Sequence, residues 1–124
     1  MVPEVGGSKP LGHPIVSRNF SQTISVHCRE PETLIEMIAE WDRHQAASEI
    51  TGYMGTRVLA DRDHPGDLLI IADFGVVDPD VSAADEAARN NDRAETRAFA
   101  AAAAELVDGE PEYRNFDELY RTNP

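Results

Sequence analysis

Hydrophobic and polar positions first fall into a regular pattern at "NFSQTISVHC" (19–28). Phe20, Ile24, Val26 and Cys28 share one parity, and Ser21, Thr23, Ser25 and His27 share the other. Successive side chains of an extended segment point to opposite sides, so this pattern predicts a strand with two unlike faces. The following stretch, "REPETLIEMIAEWDRHQAAS" (29–48), changes to helical spacing. Leu34, Ile38, Trp41 and then Gln45 recur along one stripe, which Ile35 and Met37 widen. Pro31 suits the first turn, where its missing N–H matters least, and acids crowd the positive end.

From Ile50 to Phe74 the pattern is that of a hairpin. Gly52 and Gly55 interrupt a β-prone run, which predicts a bulge or a close backbone approach, and "DRDHPGD" (61–67) supplies the turn. "LLIIADF" (68–74) is apolar on both parities and predicts a central strand covered on both faces. Residues 76–109 predict a short helix, a break near Asn90-Asn91-Asp92 and a longer helix. Phe99, Ala102, Ala103 and Leu106 form the apolar stripe of the longer helix, and Gly109 is its stop signal. The alanine run 100–104 favours helix and has little bulk, so that helix is expected to approach its neighbour closely. "PEYRNFDELYRT" (111–122) predicts a last, polar strand. Its Tyr113, Phe116 and Tyr120 are too apolar for a free edge and point to partner contact.

The order β-α-β-β-α-β is the α+β, ferredoxin-like arrangement, a four-stranded antiparallel sheet with two helices on one face. The other face needs a cover, and a second copy of the same face is the simplest one, so a homodimer is predicted. The length of 124 residues suits one domain, read as 19–122. It is preceded by a flexible arm at 1–18 that holds three Pro and three Gly.

Charge narrows the partners. Asp and Glu number 23 against 11 Lys and Arg, a formal net of -12, and the arginines are scattered among acids. Such a surface repels nucleic-acid backbones and anionic membranes, so neither is expected as a partner. Cys28 is the single cysteine, which rules out an intrachain disulfide and fits a reducing compartment. With no leader-like segment and no apolar run near the roughly 18 residues of a membrane span, the expected location is the cytoplasm. His13, His27, His44 and His64 with Cys28 lack metal-ligand spacing, so no metal is expected, and Cys28 itself reads as a buried, inert thiol. "GYMG" lies inside a strand and leads into no helix, so it is not a phosphate-binding loop.

Three segments carry a resemblance. They are Gly52-Tyr53-Met54-Gly55-Thr56-Arg57-Val58-Leu59, the apolar strand Leu68 to Phe74 ending in an aromatic, and Glu95-Thr96-Arg97-Ala98-Phe99. With "PEYRNFDELY" as the closing strand, residues 20–120 resemble the antibiotic biosynthesis monooxygenase family of dimeric α+β barrels. The resemblance implies a cavity between sheet and helices and, in the family's cofactor-free oxygenases, action on polyketide-like phenols without metal or flavin. Phe74 stands where the family often has Trp, and Asn90 where many members have His. Haem-degrading members use an Asn, a Trp and a haem-ligating His. That trio has no counterpart here, since Phe replaces Trp and no histidine follows His64.

Under this resemblance Tyr53 is a candidate donor to a substrate oxygen, Asn90 a holder of a carbonyl or phenolate, and His27 a general base. Phe74, Trp41 and Phe99 are candidate walls for a small hydrophobic or aromatic substrate, and Arg97 a guide for an anionic one. Each has a plainer reading. Tyr53, Phe74 and Trp41 also suit a packed core, and Asn90 suits a helix cap. Arg97 suits pairing with Glu95 or Asp92, and His27 faces the partner sheet if Ile24 and Val26 face the helices. The leading function is a cofactor-independent monooxygenase. The rival is a non-catalytic dimeric module that binds a small ligand or only assembles, with the alanine-rich helix closing the cavity.

Overall fold

The computed structural model describes residues 18–123, so the expected arm lies, apart from Arg18, outside the described residues. β1 (Phe20–Cys28) pairs antiparallel with β3 (Asp67–Phe74) on one side and β4 (Val107–Asp117) on the other, and β2 (Tyr53–Ala60) completes the order β2-β3-β1-β4. α1 (Pro31–Gln45), α2 (Ala83–Asn91) and α3 (Ala94–Ala103) make the arrangement βαββααβ, the ferredoxin-like fold with its second helical segment broken in two. Among the described residues no helix is long and apolar enough to cross a membrane.

The alternation of β1 decides which face does what. Ile24 and Val26 pack against a core cluster of Cys28, Leu34, Ile38, Leu68 and Ile70, to which α1 contributes its stripe. A second cluster joins Phe20 and Phe74 at the other end of these strands to Ala83 and Ala87 of α2. That helix starts where the Ser82 side chain accepts the Asp85 N–H at 2.9 Å, which satisfies an otherwise orphaned donor. The break that follows falls at Asp92 and Arg93, where the sequence places it.

The last boundary differs from the sequence reading. α3 ends at Ala103 and β4 runs from Val107, so Gly109 and Pro111 lie inside the strand, and the strand ends at Asp117 with Tyr120 beyond it. Turn bonds from the Glu105 and Leu106 amides to Ala102 and Ala103 carbonyls end the helix early and bring Leu106 and Val107 onto the core. β4 is an edge, and an edge strand tolerates a proline that cannot donate to a neighbour.

The face away from the helices mixes the apolar Leu69 and Ile71 with polar pairs. Asp73 accepts from Ser21 Oγ at 2.5 Å and lies 3.9 Å from the Arg57 guanidinium, while His27 Nδ1 is 2.8 Å from Asp67. Leu59 and Phe116 are the large apolar side chains left open there, at 45% and 44% exposure.

The hairpin glycines have a specific cause. Gly52 has φ 84, and a Cβ on it would lie 2.2 Å from the Gly75 carbonyl oxygen. The Gly75 N–H donates to the Gly52 carbonyl at 2.6 Å, so the two backbones close the open end of the hairpin. Gly52→Ala is expected to destabilise by about 2 kcal/mol or more, since left-handed backbone strain and the clash act together. A urea midpoint unchanged from wild type would contradict this.

Candidate functional site

A cavity of about 300 Å³ lies between the helix-facing side of the sheet and α3. Its size is at the lower end for small-molecule sites. The alanine run does not close it: Ala100, Ala103 and Ala104 line it, because methyl groups are too short to fill the gap that the helix leaves. Ile24, Val26, Ile70 and Phe74 form its floor, and Trp41 and Phe99 a flank. The ring centroids of Trp41 and Phe99 are 5.9 Å apart, and Trp41 Nε1 donates to Thr96 Oγ1 at 3.1 Å.

Of the candidate residues, the structure brings Asn90, Phe74, Trp41 and Phe99 together at this cavity. Tyr53 stands behind its wall, edge-on to Trp41 at 5.6 Å and 5.6 Å from the Phe74 ring. Its hydroxyl is 2.6 Å from both Asp42 Oδ1 and Thr56 Oγ1. An ionised carboxylate only accepts, so the phenol donates to Asp42 and accepts from Thr56. Thr56 lines the cavity, and with its proton spent on Tyr53 its hydroxyl oxygen is left as an acceptor. His27 projects from the opposite face of the sheet, because Ile24 and Val26 take the helix side. Arg97 is exposed and lines no part of the cavity; Glu95 pairs instead with Arg93, at 2.9 Å.

Asn90 does not cap α2 with its side chain. It is 3% exposed, and its Oδ1 accepts from Gln45 Nε2 at 3.0 Å and from Arg93 at 3.1 Å. Both lone-pair directions of that oxygen are therefore filled. Its Nδ2 has no acceptor among the described residues, and Asn90 lines the cavity.

Gln22, Thr56, Asn91, Thr96 and Tyr113 are further polar groups of the lining that the sequence reading passed over. Gln22 carried a signal, since it interrupts the apolar parity of its strand, as did Gln45 at the end of an apolar helical stripe. The turn also collects Asp61, His64 and Asp67, whose ligand atoms lie within 4.8 Å of one another. Spacing alone did not suggest this group; all three residues are exposed and stand apart from the cavity lining.

Burial, and then the hydrogen bond to Asp42, raise the Tyr53 phenol well above the ordinary 10.0. The group is thus held neutral and cannot serve as a base near neutral pH. The unfolded chain ionises this phenol first, so its contribution to stability is complete below pH 10 and is lost as pH rises beyond it. In urea titrations above pH 10, Tyr53→Phe is expected to lack that part of the decline. Parallel declines in the two proteins would show that the phenol ionises alike in both states.

No protein-family model matches the sequence, and no curated protein sequence matches it either. Solved structures do match. SnoaB from Streptomyces nogalater, a cofactor-independent oxygenase, superposes with a TM-score of 0.65 at 16% identity, over 87% of this chain and 99% of its own. A proposed antibiotic biosynthesis monooxygenase from Nitrosomonas europaea gives 0.65 at 13% identity, over 86% and 96%. A possible oxidoreductase of unknown function from Bacteroides thetaiotaomicron gives 0.61 at 14% identity, over 83% and 100%. Over more than four fifths of its length, then, the chain has the fold of antibiotic biosynthesis monooxygenase structures.

Proposed function

We propose that the protein is a cofactor-independent oxygenase of a small, flat aromatic molecule that bears an ionisable phenol or enol. One observation carries this reading: a buried carboxamide, Asn90, whose oxygen is committed and whose N–H groups are left for a mainly apolar cavity. Such a donor in a water-poor site favours a substrate oxygen that gains negative charge. Two of the oxygenase-like structures that share the fold lend support, SnoaB among them.

The reaction needs only the substrate anion and dioxygen. The anion gives one electron to O2, the radical pair joins as a carbon-bound peroxide, and a proton completes the hydroperoxide. Loss of water then leaves a carbonyl, so that CH2 and O2 become C=O and H2O. The C–H electrons of the substrate are the reductant. Thr56 orients a second oxygen of the substrate through its lone pairs, and Phe74, Trp41 and Phe99 hold the rings. His27 is assigned to the sheet face away from the cavity and Tyr53 to the support of Thr56, so neither acts as the base.

The second reading, a ligand-binding module without catalysis, is favoured by the lining. Among the described residues that form it, Tyr113 is the sole titratable group, so no base stands ready. Oxygen uptake with a panel of anthrones and hydroquinones separates the two. Asn90→Ala is expected to lower kcat/KM by about 10- to 100-fold, as for loss of a hydrogen bond to a charged group. Tyr53→Phe is expected to stay within about threefold. No uptake above the buffer rate with any substrate would leave the binding module as the reading.

The open sheet face, with Leu59 and Phe116, is the surface we assign to a homodimer. Sedimentation at micromolar concentration is expected to show two copies for wild type and one for Phe116→Asp. A single-copy wild type would remove the dimer.

A further inference from the structure

We infer that Arg93, which does not line the cavity, makes it selective for anionic oxygen by locking the Asn90 carboxamide with its NH2 group inward. The inference rests on the reading of Asn90 as the group that holds substrate, and it adds a positioning residue to it.

A guanidinium has five donors and no acceptor. Arg93 Nη1 reaches Asn90 Oδ1 at 3.1 Å and also donates to Gln45 Oε1, so both amide oxygens must face it. The Gln45 Nε2 then donates to Asn90 Oδ1 at 3.0 Å and closes a triangle. Flipping Asn90 would set its NH2 against the guanidinium and the Gln45 NH2, three donors with no acceptor between them. Asn90 and Gln45 are 3% and 5% exposed, so water is not at hand to relieve that conflict. The orientation of the amide is thus a consequence of Arg93, and an unlocked amide could offer its oxygen to the cavity instead.

Charge acts in the same direction. The chain carries a formal net of -12, and no cationic side chain lines the cavity among the described residues. The Arg93 side chain is 17% exposed and draws electron density toward Asn90 Oδ1, which strengthens the N–H groups on the far side as donors. Outside, Arg93 shares a surface groove with His44, Glu49, Arg89, Asp92 and Glu95. Glu95 binds its Nη2 at 2.9 Å from a half-exposed position where solvent screens it, and Arg89 is engaged by Glu86 at 3.0 Å. On the cavity side Tyr113 is the titratable neighbour of a bound molecule. The ligand class is a planar aromatic with a phenolate or enolate oxygen.

The test uses 4-nitrophenol, whose ionisation is visible in its absorption, and 4-nitroanisole as its uncharged counterpart. With the full chain in excess, the bound phenol is expected to titrate about one unit below its free value, a tenfold shift toward the anion. Arg93→Met is expected to return that value to the free one or above it, while 4-nitroanisole affinity stays within about twofold. Arg93→Lys keeps the charge without the two-oxygen fork and is expected to fall between. Asn90→Asp, which cannot donate when ionised, is expected to lose the shift as Arg93→Met does. Should Arg93→Met fail to fold, by its near-ultraviolet dichroism, the latter two variants decide.

Equal phenol titration in wild type and variants overturns the inference. So does wild type binding the neutral phenol or none at all, or a parallel loss of both probes in the variants. Oxygen uptake is read separately. A lowered phenol value without uptake keeps Arg93 in this role and removes the oxygenase; uptake with a phenol value indifferent to Arg93 does the reverse.

Discussion

Trp41 is the strut that sets the space beneath α3. Its ring meets Phe99 from α3 and Tyr53 from β2, and its indole N–H is held by Thr96 at 3.1 Å. Each aromatic contact of this kind contributes about 0.5–1.5 kcal/mol beyond the area that it buries. A side chain tied in three directions is held in place, and it stands between α3 and β2. Further along α3 the residues are alanines, which cannot fill the space beneath it, and Leu106 and Val107 close the far end against the core. The cavity is what remains between a large prop and a short-sided helix.

Two polar chains reach this space from outside and leave opposite polarities at its wall. Asp42 fixes Tyr53, which leaves Thr56 as an acceptor; Arg93 and Gln45 leave Asn90 as a donor. Each ends on a neutral side chain although it starts from a charged one. A site built so presents oriented dipoles without burying an ion, which avoids the heavy desolvation cost of a charge in an apolar interior. The fold itself does not dictate this arrangement, since one fold can host many unrelated functions.

Much of the architecture was legible because strands and helices leave distinct periods. Two faces on β1, apolar residues on both parities of β3, and Asn90-Asn91-Asp92 between two helical stretches each pointed to what the structure contains. The start of β4 was not, because Gly109 and Pro111 speak locally against a strand that pairing with β1 nonetheless imposes. The walls of the site were read more easily than its polar wiring. Phe74, Trp41 and Phe99 stand out as aromatics, but the meaning of Arg93 depends on Gln45, 48 positions earlier, and only tertiary packing joins the two. Arg97, one turn further along in α3, lies inside the motif that carries the resemblance, but its side chain is exposed and outside the cavity lining.

The same shortage of bulk has a dynamic side. α3 contains no buried residue and is fastened chiefly through Phe99 and Thr96, whereas the strands beneath it are pinned along their whole length by neighbours. Segments so lightly fastened open at a lower free-energy cost than the sheet does, on their own and without global unfolding. The roof of the chamber is therefore also its door, and a guest that bridges α3 to the floor would act as a latch, slowing amide exchange in that helix before it changed anything in the strands.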